Sequence, residues 1–275
     1  MMQGLHHQQQ QLAALLSAAL PKDTTAAATA SVTSSSSTTA STTLPTTAST
    51  PTVSTKSDEN DSARLAAINS LHRAIIYPPN SILVAHSASF LAQGFCQLLS
   101  DKSYAVRQSA AIAYAALCAV VCSVPIGSSG RQNHVMLSSL VDRFIGWALP
   151  LLSNISAGDG TTELALEGLR EFLSVGDVGA IERYALPILK ACQELLEDER
   201  TSLSLLHRLL SVLTLISLKF SLSFQPHFLD IIDLLLGWAL VPDLAESDRT
   251  VIMDSFLQFQ KHWVGWDPWN PTTVS

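Results

Sequence analysis

The side chains best suited to chemistry are four cysteines, eight histidines, a stripe of glutamates and a late cluster of indoles. Cys96, Cys118, Cys122 and Cys192 all fall within apolar helical patterns. Cys118 and Cys122 share a helix face at i, i+4, the spacing from which a zinc site grows when a second pair converges. No CxxC and no histidine pair supplies one, so they read as small core residues in a reducing compartment. Glu163, Glu167 and Glu171 recur at i, i+4, i+8. Such a stripe can take a basic partner, but its ordinary use is a solvated face. Gly158-Asp159-Gly160 lacks the preceding strand and the third glycine of a nucleotide fingerprint and reads as a helix-connecting turn. Trp263, Trp266 and Trp269 offer an exposed peptide-binding patch, or bulk to pack against further repeats. No Walker A, GxSxG, HExxH or kinase HRD–DFG pattern is present. The expectation is therefore no catalytic residue, no metal and no cofactor.

Bulk properties narrow the partners. Of 275 residues, 47% are hydrophobic and only 14% are charged, against about 25% charged in an average domain. Surfaces this charge-poor are covered by partners, or the chain is a piece of something larger. A net charge of −7 with scattered Lys and Arg lacks the basic footprint of nucleic-acid binding. The N-terminus has no basic n-region and no apolar h-region, so no secretory signal is expected and the Asn154-Ile155-Ser156 sequon is expected to be unused. Ala110–Val121 has the length of a buried helix, short of the ~20 residues that span a bilayer. Proteins, rather than nucleic acid or membrane, are the expected partners.

The elements that would hold these residues are helices throughout. Residues 1–57 are Gln-rich and then Ser/Thr/Ala-rich. Such a tract cannot bury enough apolar surface to offset its ordering entropy, so a disordered tail is predicted, with a transient helix at Leu12–Leu20. Order is predicted from residue 58 to 264, beginning with a helix capped by Asp61 or Ser62. Tyr77-Pro78-Pro79 stops that helix, and a second runs from about Ser81 to Ser100. Further helices follow near 102–117 (capped by Asp101), 135–153, 161–175, 177–197, 202–222 (capped by Thr201), 226–241 and 247–264. Pro150 and Pro187 are expected to kink or split theirs. Residues 265–275 form a Trp- and Pro-containing open end. About nine helices and no strand result.

Two patterns turn these helices into an array. Asp142, Gly146, Trp147, Ala148 and Leu149 are echoed by Asp233, Gly237, Trp238, Ala239 and Leu240, 91 residues later. That offset is two repeats of the ~40–47-residue kind. Asp-x3-Gly places a carboxylate and a gap on one helix face, with the tryptophan about 100° away. The gap is expected to permit close approach, and the indole to fill space against a neighbouring repeat. The second pattern, Asp101 followed by Val106-Arg107 and Ala110-Ala111, resembles the turn of a HEAT repeat. Asp101 would cap the following helix, Val106 would face the core, and Arg107 would pair with a turn carboxylate. The predicted fold is an all-α, HEAT/armadillo-like solenoid, whose default use is an interaction surface.

A more specific resemblance rests on LVDRFIGWALPLLSNISAGDGTTELALEGLREFL and HFLDIIDLLLGWALVPDLAESDRTVIMDSFLQFQKHW. Together they resemble the N-terminal HEAT region of the phosphatidylinositol-3-kinase-related protein kinases, in the plant form of the member that acts in nonsense-mediated mRNA decay. The run FLDIIDLLLGWALVPD carries most of the likeness, which extends over about Ser62–Val264. The resemblance implies an N-terminal piece of a very large serine/threonine kinase that modifies Ser/Thr-Gln sites on an RNA helicase. Its solenoid docks protein subunits of the kinase complex and stacks on downstream repeats of the same polypeptide, in the cytoplasm and nucleus. No catalytic residue of that family maps onto this chain. The alternative is a free-standing HEAT-repeat adaptor of another pathway, in transport or on chromosomes.

Overall fold

The computed structural model describes residues 2–21, 55–124, 130–153, 160–175 and 178–262. Among them, helices follow one another without a strand: α1 (Met2–Ala19), α2 (Thr55–Ile76), α3 (Ser81–His86), α4 (Ala88–Leu99), α5 (Tyr104–Ser123), α6 (Gly130–Leu152), α7 (Thr161–Val175), α8 (Val178–Glu197), α9 (Leu203–Lys219), α10 (Ser221–Phe224), α11 (Phe228–Ala239) and α12 (Glu246–His262). They stack in two layers. In one, α2, α5, α7, α9 and α12 touch in succession; in the other, α4, α6, α8 and α11 do. The pairs α1–α2, α4–α5, α6–α7, α8–α9 and α11–α12 each join the layers. This is the HEAT/armadillo-like α-solenoid that the helix pattern predicts. α6 and α11, which carry the echoed motif, lie in the same layer with α8 between them, two repeats apart.

The core runs through the stack between the layers. Phe95, Tyr114, Phe144 and Phe172 are fully buried and form an aromatic column. Ring centroids lie 6.2 Å apart from Phe95 to Tyr114, 5.4 Å to Phe144 and 4.7 Å to Phe172. The column ties α4, α5, α6 and α7 across two repeats. The Tyr114 hydroxyl donates to the Leu140 carbonyl at 3.0 Å, which satisfies its one polar atom inside the core. Alanines Ala110, Ala111, Ala113 and Ala115 are buried along α5 and let its neighbours approach. Gly168 does the same for α7: a Cβ there would lie 3.2 Å from the Phe144 ring and 3.3 Å from Ala111.

The structure departs from the sequence reading in four places. Met2–Ala19, read as part of a disordered tail, is a helix docked on the first repeat. Leu12, Leu16 and Ala19, at i, i+4, i+7, are buried, and Leu16 fills the space over Gly94, where a Cβ would fall 2.5 Å from its Cδ2. The Ser/Thr-rich residues 22–54 lie outside the described residues. α2 starts at Thr55, so Asp61 sits inside the helix and pairs with Arg64 at 3.3 Å instead of capping. The predicted helix over 81–100 bends by 86° at Ser87, so that α3 and α4 each press apolar residues on α5. The helix over 202–222 stops at Lys219 because Phe220 leaves the helical region (φ −129°, ψ 46°) and buries its own ring. Its cap is Ser202, whose Oγ accepts from the Leu205 N–H at 3.2 Å; Thr201 donates to the Leu195 carbonyl at 2.5 Å and closes the preceding turn. Pro150 and Pro187, expected to kink or split their helices, lie within α6 and α8, and neither helix is split. Each removes a single donor, and buried Ala185, Ile188 and Leu189 hold α8 together through the gap.

α5, at 20 residues, and Val135–Leu152 of α6 are long and apolar enough to cross a membrane by length and composition. In the stack, α5 is surrounded by α2, α4 and α7, which accounts for its apolar faces without a bilayer.

Phe144 meets Tyr114, Trp147 and Phe172. Phe144→Ala should therefore lower stability by about 3–5 kcal/mol in urea denaturation; a loss below 1 kcal/mol would show that the column carries little.

Candidate functional site

A set of polar side chains ties successive repeats together. Arg183 of α8 bonds Ser138 and Asp142 of α6, and Tyr184 also donates to Asp142. Arg208 of α9 pairs with Glu167 of α7, and Lys219 donates to the Ser174 carbonyl at 2.9 Å. The Trp238 indole N–H donates to the Leu196 carbonyl at 3.1 Å, and Ser217 meets His262 at 2.9 Å. These contacts join residues 41 to 45 positions apart. One repeat length therefore recurs as the spacing of the ties.

The most enclosed tie is Arg64–Asp101, with side chains only 8% and 7% exposed. Arg64 also donates to the Ala19 carbonyl at the end of α1, at 3.0 Å. A single guanidinium thus clasps α1, α2 and the turn before α5. Burial pushes the Asp101 carboxyl up, but the Arg64 hydrogen bonds, the Ser103 N–H and the Arg64 charge outweigh it and hold the group below its ordinary value. Asp101 does not cap α5 directly: it accepts from the Ser103 N–H at 2.9 Å, and Ser103 is the cap residue. Arg107 does not pair with a carboxylate among the described residues either. Asp101 is already taken by Arg64, so Arg107 donates to the main-chain carbonyls of Asp101 and Lys102 at 2.9 and 3.2 Å and lies over the Tyr104 ring. Val106 is fully buried, facing the core as its position predicts.

The echoed motif is divided by its surroundings. Asp142 is tied to α8, whereas Asp233 is exposed and makes no hydrogen bond or ion pair among the described residues. Trp147 packs on Phe144 at 5.5 Å and against Gly168; Trp238 reaches back to the preceding repeat. The two glycines do not permit close helix approach. A Cβ at Gly146 or Gly237 would meet nothing within 4 Å, because both lie on the outer, exposed side of their helices. The close-approach glycines are Gly94 and Gly168, which the sequence reading passed over; their signal is a glycine among leucines on a helix face. Trp263, Trp266 and Trp269 lie outside the described residues.

The layer formed by α2, α5, α7, α9 and α12 carries a shallow trough. A hollow of about 450 Å³ between α2, α5 and α7 is lined by His72, Ile112, Ala116 and Val175, with Glu171 at its edge. It continues past Glu171 and Arg170 into a hollow of about 420 Å³ against α9 and α12, with His207, Thr214 and Val251. Glu171 of the glutamate stripe borders both hollows, and all three glutamates are half-buried. Arg170 bonds Glu167 and Glu171 at 2.9 and 2.5 Å, and Arg208 takes the other Glu167 oxygen. Carboxylates so neutralised are suited to holding a polar partner in place rather than to moving protons.

Cys118 and Cys122, at i, i+4, end in different surroundings, one buried and the other exposed. Burial pushes the Cys118 thiol up, and the Cys192 thiol up to about 12, so both stay protonated and behave as core residues. Among the described residues no three His, Cys, Asp or Glu side chains gather as a metal site would require.

Comparison with known proteins agrees with this geometry over one helix pair. Residues 91–121 match the HEAT repeat family model, which places the match on α4, α5 and the Asp101 turn between them. No curated protein matches the chain. HEAT repeats generally mediate protein–protein contacts, and a stacked helical array of this kind is consistent with a scaffold.

Two measurements check these assignments. Asp101→Asn should cost about 3 kcal/mol at pH 7, since it leaves Arg64 enclosed without its counter-charge. The carboxyl titrates lower in the folded chain than in the unfolded one. Its contribution is therefore complete above about pH 4 and fades as pH falls through the folded value. The gap between wild type and variant in chemical denaturation should narrow progressively as pH is lowered below 4; a gap undiminished all the way down the acid range would show that another effect is at work. Gly146→Ala and Gly237→Ala should each stabilise the chain by about 0.5–1 kcal/mol, because an exposed helical glycine gains helix propensity without a clash. Destabilisation would restore the close-approach reading.

Proposed function

We propose that this chain is the N-terminal helical scaffold of a phosphatidylinositol-3-kinase-related serine/threonine protein kinase of nonsense-mediated mRNA decay, docking protein subunits of that complex rather than catalysing a reaction. The observation that carries the reading is the run FLDIIDLLLGWALVPD over 228–243, which resembles that family and lies on α11 in a stack of helix pairs. The HEAT repeat at 91–121 supports the scaffold part of it. On this reading the chain works in the cytoplasm and nucleus, its kinase partners and further repeats of the same polypeptide being the surfaces it meets. Mechanically, it is a spacer. Pairwise ties at one-repeat spacing fix each helix pair against the next, so residues far apart in sequence keep fixed positions for a partner that spans several repeats.

The test is affinity purification of the tagged chain from plant cells, followed by identification of what it retains. Recovery of decay-kinase subunits and the decay helicase is expected. Recovery of transport receptors or chromosome-associated proteins in their place, or of no decay component at all, would sink the kinase assignment while leaving the fold intact.

A further inference from the structure

α1 is joined to the stack by a longer stretch of chain than the later helices. Residues 100–103 separate α4 from α5, 198–202 separate α8 from α9, and 240–245 separate α11 from α12, whereas 20–54 separate α1 from α2. Seating α1 therefore costs more chain entropy than seating those helices against their pairs. The contacts that offset this cost are few. Leu12, Leu16 and Ala19 are buried, while His6–Gln11, Ala14, Ser17 and Ala18 are exposed. A hollow of about 250 Å³ separates Gln8 and Leu15 from Ala74 and Tyr77 at the end of α2. Among the described residues, the hydrogen bond that ties α1 to the stack is the one from Arg64 to the Ala19 carbonyl, at 3.0 Å.

The seat of α1 is built without α1. The notch that takes Leu16 is the missing side chain of Gly94, on α4, and α4 is held by α5 and α6. Arg64 is held by Asp61 and Asp101, so its guanidinium keeps its place with or without the Ala19 carbonyl. We propose that α1 is a strap that opens on its own: it leaves the groove between α2 and α4 while the rest of the stack stays folded, and the open groove is a receptor for the Leu-x3-Leu-x2-Ala stripe that α1 carries. Two features select that ligand. The Gly94 notch takes a leucine set one turn before the end of a helix, and the Arg64 Nε–H donates to a carbonyl at the helix C-terminus, where a positive charge is favoured. An isolated helix of this length is marginal in water, so docking and helix formation are one event. α1 thus blocks in cis a groove that accepts the same stripe in trans. The proposal rests on neither the scaffold reading nor the kinase assignment.

The test uses the full chain. In hydrogen exchange followed by mass spectrometry, amides of residues 6–19 should exchange about a hundredfold faster or more than those of α5 and α7, at a rate that low denaturant leaves unchanged. A fluorescein-labelled, helix-stabilised peptide of residues 2–21 should bind saturably to the Leu16→Asp chain, whose own strap is released. It should bind wild type about tenfold more weakly or worse, because the groove is occupied in cis. Adding Gly94→Leu to Leu16→Asp should abolish binding, since a Cβ at position 94 would fall 2.5 Å from the seated leucine's Cδ2. Exchange of α1 in step with α5 and α7 overturns the proposal, because α1 would then open only as the whole stack unfolds. A Leu16→Asp chain in which α5 and α7 lose protection overturns it in the same way. So does a Leu16→Asp chain that keeps that protection but does not bind the peptide. Sedimentation of wild type as a dimer that Leu16→Asp dissociates overturns the cis seat, α1 then lying on a second copy. Each of these failures leaves the affinity purification from cells unaffected, so the two readings fail separately.

Discussion

No helix pair of this chain can bury its own apolar faces; each needs the next. α5 shows the constraint most plainly. Its alanines, Val106, Tyr114 and Leu117 are buried on several sides at once, and those sides are supplied by α2, α4 and α7. The low charge content follows from the same constraint. In a stack, most of a helix's circumference is interface, so few positions remain where a charged residue reaches water.

Given that constraint, several of the charges that remain are placed at joints. Arg64 is the clearest case, reaching the end of α1, Asp61 within α2 and the turn at Asp101. Arg183 and Arg208 do similar work further along, in the two different layers. The exposed Arg183–Asp142 pair, with side chains about half accessible, contributes little to stability alone. Its value is directional. It fixes which turn of α8 lies against which turn of α6, a choice that non-directional apolar packing leaves open.

The sequence made the helices legible because apolar periodicity and proline stops are local properties. It also revealed the repeat, because an echo two repeats apart survives in one sequence. Contacts between helices were harder to read. Asp101 and Arg107 were rightly marked as turn residues, but which partner Asp101 takes depends on Arg64, thirty-seven positions earlier, and only packing brings that residue near. The glycines illustrate the limit well. Gly146 and Gly237 stood out because they recur, yet they face open space; Gly168, which appears once, is the one pressed between Phe144 and Ala111. Recurrence marks a shared ancestry or register, whereas close approach is a property of three dimensions. The docking of α1 was missed for a related reason: its burying stripe is short and set in polar, Gln-rich sequence, so composition outweighed pattern.

The aromatic column has one more effect. Its rings meet in an unbroken series from α4 through α5 and α6 to α7, so each of these helices loses a ring contact if its neighbour moves away. In a quasi-one-dimensional protein, local opening starts where interfaces are weakest. A repeat within the column therefore cannot open alone: parting α4–α5 from α6–α7 separates the Tyr114 and Phe144 rings, so a breach in one pair is felt at once in the other.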